Sequence, residues 1–268
     1  MTVWLNDRAL IAVSGPDARE FLQGLVTNDV LGVGPASLRY AAFLTPQGKI
    51  LFDFLIVERD GALLLDCPAG MRDALGKRLS LYRLRAKVAI APRDDLAVLW
   101  RRDGEAVFPF IRDPRHPQLG FRAIVPRDEA TPYEGSAQYH ALRLDCGVPE
   151  GGDFGQDRIF ALDGDLDELG GVDFGKGCYV GQELTARMKH RGTARKRLLP
   201  IATLDGGALP AAETSIAAAG REIGTIQSSL DDRGFALIRL DRLEEASGQT
   251  VSAAQTHIRI AKPAWLFA

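Results

Sequence analysis

Residues 176–183 read Lys-Gly-Cys-Tyr-Val-Gly-Gln-Glu and set the thiol of Cys178 between a lysine and a predicted helix. The helix is predicted over residues 182–190, because helix formers follow Gly181, with an acidic residue in the first turn, basic residues in the last and a glycine soon after. A cysteine just before a helix faces unpaired backbone N–H groups and the positive end of the helix dipole. Lys176 adds a positive charge nearby. These effects favour the thiolate form of Cys178, which can attack an electrophile, accept sulfur or bind a metal.

Cys178 has a second interpretation, since free cysteines are among the most buried residues and usually pack as small hydrophobic side chains. The spacing alone leaves a reactive thiol and a packed thiol both open. Gly177 and Gly181 favour the reactive interpretation, because glycine lets the backbone turn tightly and approach a ligand closely. Gln182 and Glu183 can likewise be ordinary residues of a helix N-terminus, where an acidic side chain suits the dipole.

The composition is that of an ordinary globular protein. The chain has 268 residues, of which 46% are hydrophobic and 25% charged, enough for one large domain or two modest ones. Its net charge of -2 provides no overall attraction to nucleic acid or to an anionic membrane. No apolar run approaches the length of a membrane span, and residues 1–7 show no targeting signal. We therefore expect a soluble cytoplasmic protein, with neither a membrane nor nucleic acid among its partners.

The cysteines and histidines show no metal-binding spacing. The three cysteines, Cys67, Cys146 and Cys178, include no Cys-x-x-Cys pair, and the four histidines are dispersed. A disulfide framework, a zinc site and a self-contained iron–sulfur site are therefore not expected, and no stably bound metal is predicted. A cluster bridged between two chains through Cys178 stays open.

The first two thirds of the chain mix helices and strands. Apolar residues recur at helical spacing in residues 17–26, and residues 45–49 (Thr-Pro-Gln-Gly-Lys) predict a type I turn between two strands. Further helices are predicted over residues 71–84 and 138–144, and strands over residues 40–44, 50–57, 62–65, 87–90, 96–100 and 121–125.

The pattern changes after Arg197 to short apolar runs separated by Gly, Pro, Asp and Ser turns. This is typical of a compact all-β unit, most simply a small barrel. The boundary is predicted near Arg195, between an α+β region over residues 1–194 and a β-barrel domain over residues 195–268. The charge turns from acidic in residues 145–173 to basic in residues 176–197. This predicts either a solvated surface or an anion site beside Cys178.

Residues 176–183 resemble the signature KGCYxGQE of the YgfZ family, folate-binding proteins of the GcvT-like fold that assist iron–sulfur cluster assembly. Residues 21–30, 44–50 and 142–149 resemble further segments of that family and lie in the same order. The resemblance covers nearly the whole chain. It implies an α+β, GcvT-like folate-binding fold with a small C-terminal β-barrel domain.

The same order of segments is similar to the T-protein of glycine cleavage, an aminomethyltransferase that uses tetrahydrofolate. Gln182 stands where that transferase has a folate-contacting arginine, and Cys178 stands where it has an aspartate. Asp145 replaces a glutamate associated with the pterin ring, and it can accept the same hydrogen bonds but is one methylene shorter. These departures speak against true aminomethyltransferase activity and leave open whether the chain is an enzyme.

The resemblance implies tetrahydrofolate or a folate derivative as a cofactor. A pterin ring needs an apolar slot and a carboxylate acceptor, here Asp145. The anionic tail would favour Arg187, Lys189, Arg191 or Arg195. The predicted folate-binding residues are Asp145, Asn28, Tyr40, Tyr179, Gln182, Glu183 and Arg187, and the predicted catalytic residues are Cys178 and Lys176. Asn28 and Tyr40 also fit structural roles, as a turn residue and a strand residue.

We expect a tetrahydrofolate-binding accessory factor for the assembly, maturation or repair of iron–sulfur proteins. Its expected partners are folate and iron–sulfur client proteins or the assembly machinery. Cys178 could ligate iron transiently, form a mixed disulfide with a partner, or accept a one-carbon unit or sulfur. The alternative is a tetrahydrofolate-dependent aminomethyltransferase or demethylase. A third hypothesis, an RNA-modification factor, rests on the basic stretch after Cys178.

Overall fold

The computed structural model describes residues 1–131, 133–192 and 195–266 and arranges them as two β-sheets and a closed β-barrel. The strands are β1 (Thr2–Trp4), β2 (Arg8–Ser14), β3 (Arg39–Leu44), β4 (Ile50–Arg59), β5 (Ala62–Pro68), β6 (Ala89–Pro92), β7 (Leu96–Arg101), β8 (Ile111–Arg112), β9 (Phe121–Pro126), β10 (Lys196–Thr203), β11 (Ser215–Ala218), β12 (Arg221–Leu230), β13 (Arg233–Arg239), β14 (Val251–Ala253) and β15 (Thr256–Ile260). The α-helices are α1 (Ala18–Gln23), α2 (Arg72–Tyr82), α3 (Ser136–Asp145), α4 (Gln182–Arg191) and α5 (Leu240–Glu245).

The first sheet is antiparallel, with the strand order β3-β4-β5-β2-β6. Both of its faces are covered. Successive side chains of a strand point to opposite faces, so β4 contributes residues to two different clusters. On β4, Phe54 and Ile56 pack in the same cluster as Leu22 of α1 and Leu79 of α2. The neighbouring Leu55 faces the other way, into the main core.

Strand β2 lies in the interior of this sheet and was not predicted from the sequence. Its burial shows no alternation of buried and exposed positions, so it lacks the period of two that marks a half-buried strand. The predicted helices and the β3–β4 hairpin are confirmed, with ends that differ by a few residues.

The second sheet has the order β1-β7-β9-β8 and shares the main core with the first. Trp100 of β7 packs edge-on against Tyr139 of α3, with ring centroids 5.7 Å apart. Its indole Nε1 donates to the carbonyl of Leu119 at 2.6 Å. The packing of the Trp100 ring on Tyr139 holds α3 beside the sheet.

The six C-terminal strands close into a barrel in the order β10-β13-β12-β11-β14-β15, with β15 pairing back to β10. This confirms the predicted β-barrel. Strands β11 and β14 were not predicted, because each is only a few residues long. The predicted boundary lies between residues 194 and 195, next to residues 193 and 194, which lie outside the described residues, and the division into 1–194 and 195–268 stays a prediction.

The barrel is joined to the rest of the chain by polar contacts. Trp265 donates its indole N–H to the carbonyl of Cys146 at 2.8 Å, and Ser228 donates to Asp153 at 2.5 Å. No helix in the described parts of the chain is long and apolar enough to span a lipid bilayer.

Candidate functional site

The turn that precedes α4 requires glycine at position 181. Gly181 has a φ of +83°, and a Cβ there would lie 2.5 Å from the carbonyl oxygen of Thr45. Thr185 donates its hydroxyl to the carbonyl of Gly181 at 3.0 Å. The second glycine of the motif is therefore explained by close packing of the α4 start on the β3–β4 turn.

Cys178 lies in the segment before this turn and is exposed, whereas Cys67 and Cys146 are buried. Burial raises the pKa of the Cys67 thiol to about 12 and also raises the pKa of Cys146. Of the three thiols, Cys178 is therefore the one that a reagent or partner can reach. Its reactivity stays a prediction.

Lys176 is buried, and its ammonium is directed away from solvent. Nζ donates to the carbonyl oxygens of Gln23 at 2.8 Å, Val26 at 2.6 Å and Asn28 at 2.9 Å. It also lies 5.2 Å from the ring centroid of Tyr179. Burial lowers the pKa of Lys176 to about 8, so the ammonium still predominates at neutral pH.

The predicted catalytic role of Lys176 is corrected by these contacts. An ammonium has three N–H donors, and here three backbone carbonyls accept them, so none remains for a hydrogen bond to the Cys178 sulfur. Lys176 instead fastens the segment that carries Cys178 to the chain that leaves α1.

Asn28 and Tyr40 are held in structural roles, which corrects their predicted place in a folate pocket. Asn28 Nδ2 donates to the carbonyls of Tyr40 and Gly170, each at 2.7 Å, and its Oδ1 accepts from the Asp29 amide. Tyr40 is buried and donates its hydroxyl to Asp53 at 3.2 Å. Both side chains have their hydrogen bonds satisfied within the protein.

Tyr179, Gln182 and Glu183 line an open groove beside α4 with a volume of about 700 Å³. The α4 groove is formed by Pro46, Tyr82, Tyr179, Val180, Gly181, Gln182, Glu183 and Ala186. Arg187 lies on the exposed side of α4 and pairs with Glu183 at 2.5 Å. Tyr179 is buried, whereas Glu183 and Arg187 are exposed, and all four residues lie within nine positions of Cys178 in the sequence.

Asp145 lies elsewhere, which corrects the prediction that it binds the pterin in the same pocket. It is the last residue of α3, its side chain is 63% exposed, and it pairs with Arg233 of the barrel at 2.5 Å. The cleft at this position has a volume of only about 130 Å³. Ligand sites usually begin at roughly 300 Å³, so this cleft is too small for a folate.

A cluster of buried charges that sequence reasoning missed lies between the two sheets. Arg8, Arg115, Arg122 and Arg143 pair there with Asp66, Asp113, Glu150 and Asp153. Burial alone would raise the pKa of Glu150, but the surrounding guanidiniums hold it well below its usual range. The cluster therefore stays ionised, with equal numbers of positive and negative groups.

Asp53 adjoins this cluster and differs from its other acids. It accepts hydrogen bonds from Tyr40 and from the Gly151 amide at 2.8 Å, but it has no ion pair in the described part of the chain. Burial, with a contribution from the Glu150 charge, raises the pKa of Asp53 to about 6. Asp53 is therefore the carboxyl of this region that can change protonation near neutral pH.

An inner cavity of about 360 Å³ opens beside the charged cluster. Its apolar wall includes Leu38, Val57, Val98, Phe108, Pro109, Ile111, Ala123, Ile124, Val125 and Pro126, and its charged lining residues are Glu58, Arg59, Asp60, Asp66, Arg122 and Glu129. Asp66 and Arg122 are buried and pair at 2.9 Å. Each is a charged residue inside an otherwise apolar strand, a pattern that could have indicated a buried ion pair or a binding site.

The described residues contain no group of three or more His, Cys, Asp and Glu side chains arranged to hold a metal ion. Cys178 alone cannot complete the coordination of a cluster, because the common clusters take four protein ligands. Additional ligands would have to come from another molecule.

The fold defines the class of protein. The crystal structure of glycine cleavage system aminomethyltransferase T from Bartonella henselae matches this chain with a TM-score of 0.74, covering 98% of this chain and 85% of that one. At 16% identity the match establishes the fold alone. The family model described as CAF17, C-terminal beta-barrel domain matches residues 195–268. The predicted GcvT-like α+β fold with a C-terminal barrel is therefore confirmed.

The particular family follows from sequence relatives. The protein named iron-sulfur cluster assembly factor IBA57, mitochondrial, from Mus musculus is 35% identical over 90% of this chain and 78% of its own length. The Homo sapiens protein of that name is 34% identical over 97% of this chain and 84% of its own length. A Pyricularia oryzae homologue is 34% identical over 94% of this chain and 75% of its own length. The chain belongs to the IBA57 family.

These relatives refine one expectation and overturn another. The resemblance to a GcvT-like iron–sulfur assembly family is confirmed, but the family is IBA57, a near relation of the predicted YgfZ name. The prediction of a cytoplasmic protein is contradicted, because the relatives are named as mitochondrial.

The accessibility of the three thiols generates a first prediction. Iodoacetamide at neutral pH should alkylate Cys178 at least about tenfold faster than Cys67 or Cys146, since the latter are buried and their thiol pKa values are raised. Timed alkylation followed by peptide mass spectrometry measures the three rates, with Cys178→Ser as the matched control. Equal rates for the three cysteines in the folded protein would contradict the assignment.

Proposed function

We propose that this protein is an accessory factor in the assembly, maturation or repair of iron–sulfur proteins and that it acts through Cys178. The observation that carries the proposal is the exposed thiol on an anchored turn, in a chain related to proteins named as iron–sulfur cluster assembly factors. Iron–sulfur clusters are held by cysteine thiolates. Cys178 would provide one such ligand to iron or to a cluster in transit.

The surroundings of Cys178 support a shared complex with a client or assembly protein. Cys178 directly precedes Tyr179 and Val180 in the sequence, and both line the α4 groove together with Pro46 and Tyr82. Leu81 and Leu84 at the end of α2 are also exposed, and large apolar side chains grouped at a surface favour protein contacts. The partner would bring the remaining thiolates, so the cluster is cargo of the complex.

A deletion strain tests the role of Cys178. A Cys178→Ala variant should fold normally, because the side chain is exposed, yet it should fail to restore the activities of iron–sulfur enzymes. The wild-type gene and Cys146→Ala are the matched controls, and both should restore those activities if the protein is present at normal levels. Full restoration by Cys178→Ala would remove the thiol from the mechanism.

We propose further that tetrahydrofolate or a related folate binds in the inner cavity. The cavity has the size of a small-molecule site, apolar walls for a flat ring, and the polar pair Asp66 and Arg122. Asp66 would accept hydrogen bonds from the amino and ring N–H groups of a pterin, which is the role that sequence reasoning had given to Asp145. Arg122 would donate to the pterin carbonyl.

The alternative of a tetrahydrofolate-dependent aminomethyltransferase or demethylase has weaker support. The structural match to an aminomethyltransferase has only 16% sequence identity, so it supports a shared fold and not a shared activity. Arg187 and Lys189, two of the basic residues predicted to hold a folate tail, pair with Glu183 and Asp167.

Filling the inner cavity tests the folate proposal. Ile124→Trp should weaken tetrahydrofolate binding at least about tenfold, because Ile124 is only partly buried in the cavity wall and a larger side chain there would occupy the space of the ring. Calorimetric titration under anaerobic conditions measures the affinity. Leu230→Trp, on a barrel strand outside the cavity, is the control. Unchanged affinity in a folded Ile124→Trp variant would place the folate elsewhere.

A further inference from the structure

The charged residues of the inner cavity divide into an inner pair and a rim. Asp66 and Arg122 are each about 2% exposed at the side chain and belong to the buried cluster. Glu58, Arg59, Asp60 and Glu129 lie at the surface end of the lining, where Asp60 and Glu129 are exposed and the other two are half-buried. The cavity therefore has a polar inner end, where the charges of Asp66 and Arg122 cancel. Its charged mouth is formed by Glu58, Arg59, Asp60 and Glu129.

The mouth carries a net negative charge. Arg59 is its one lining cation among the described residues, and it is already engaged: Nη1 donates to the carbonyl of Ile124 at 2.6 Å, and Nε lies 3.5 Å from Asp60. Glu58 accepts a backbone hydrogen bond from Gly61 at 3.2 Å. Across the described ranges, neither Glu58 nor Glu129 has an ion-pair partner.

Other arginines near the mouth do not neutralise these acids. The Arg127 guanidinium lies 4.3 Å from the ring centroid of Trp4. The Arg112 guanidinium lies 4.7 Å from the ring of Phe121 and donates to the carbonyl of Pro117 at 3.3 Å. Both cations are directed onto aromatic rings, and neither forms an ion pair with Glu58 or Glu129 in the described part of the chain.

The inner end determines how a ring would enter. Arg122 Nη2 is buried and has no hydrogen-bond partner among the described residues, with its nearest carboxylate oxygen, on Glu150, at 4.0 Å. A buried donor without an acceptor favours a ligand that brings one. The polar edge of a pterin has a carbonyl and amino groups, so this edge would face Asp66 and Arg122. The tail on the opposite edge would then leave through the acidic mouth.

We propose that the inner cavity selects pterins with a short tail and discriminates against polyglutamylated folates. This inference rests on the folate proposal above and adds the ligand class. Each further tail carboxylate would enter the field of Glu58, Asp60 and Glu129, which repel it. Because these acids are at the surface, the effect is moderate and falls with salt: about fivefold to tenfold weaker binding for a pentaglutamate than for a monoglutamate at low ionic strength.

Binding of three probes tests the proposal on the full chain: tetrahydropteroate, tetrahydrofolate monoglutamate and tetrahydrofolate pentaglutamate, under anaerobic conditions. The first two should bind within about threefold of each other, and the pentaglutamate should bind about fivefold to tenfold more weakly. At about 0.5 M salt, where the Debye length is only about 4 Å, the difference should nearly disappear.

The double variant Glu58→Gln and Glu129→Gln should reduce the difference between the two folates to less than about twofold. Glu244→Gln, on the barrel helix α5, should leave it unchanged. Equal or tighter pentaglutamate binding by the wild-type protein, or an unchanged difference in the double variant, would overturn the selectivity while leaving the folate proposal intact. If no probe binds, the folate proposal falls and the selectivity falls with it.

Discussion

The ammonium of Lys176 is the contact on which the proposed site depends. The chain that leaves α1 presents three backbone carbonyls from Gln23, Val26 and Asn28, which are distant in sequence from the cysteine they help to position. One buried cation satisfies all three, and in doing so it fixes the segment in front of α4. Without it these acceptors would be left unpaired away from water, at a cost of about 1–3 kcal/mol each. Cys178 is exposed, whereas Lys176, two residues earlier, is buried.

A second constraint lies in the interior, where four arginines and four carboxylates form one buried network of ion pairs. Removing one partner from such a buried cluster usually costs about 3–5 kcal/mol, because the other charge is left uncompensated. The cluster around Glu150 therefore serves architecture first, joining β2, β5 and β9 to the segment after α3. It also gives the inner cavity a polar end without exposing any of these charges to solvent. The proposed folate site would use groups whose geometry is already set by folding.

Local patterns predicted the elements near Cys178 well. The helix after Gly181 and the hairpin around Pro46 follow from short stretches of sequence, since capping and turn preferences act over a few residues. The same stretches left a reactive and a packed Cys178 both open, and the structure shows that the residue is exposed. Strand β2 escaped because burial on both faces removes the alternation that identifies a strand.

The composition of the site could not be predicted in the same way. Asp145 was grouped with Cys178 by resemblance, but it ends α3 at the barrel and pairs with Arg233. Asn28 and Tyr40 are conspicuous polar residues whose partners are backbone carbonyls and a buried acid. The inner cavity is built by residues from two sheets, and only the tertiary structure brings Val57, Asp66 and Arg122 together. Which side chains share a cavity depends on long-range pairing, which a local pattern does not contain.

The central claim, that Lys176 holds the Cys178 turn in place, can be measured at the thiol itself. Because Cys178 is the exposed cysteine, a nitroxide label can be attached there, and its electron paramagnetic resonance line shape reports the mobility of the turn. Lys176→Met should give a clearly more mobile spectrum than the wild-type protein, while Lys77→Met, an exposed lysine on α2, should give the wild-type spectrum. Circular dichroism confirms that each variant is folded. Identical spectra for Lys176→Met and the wild-type protein would contradict the account.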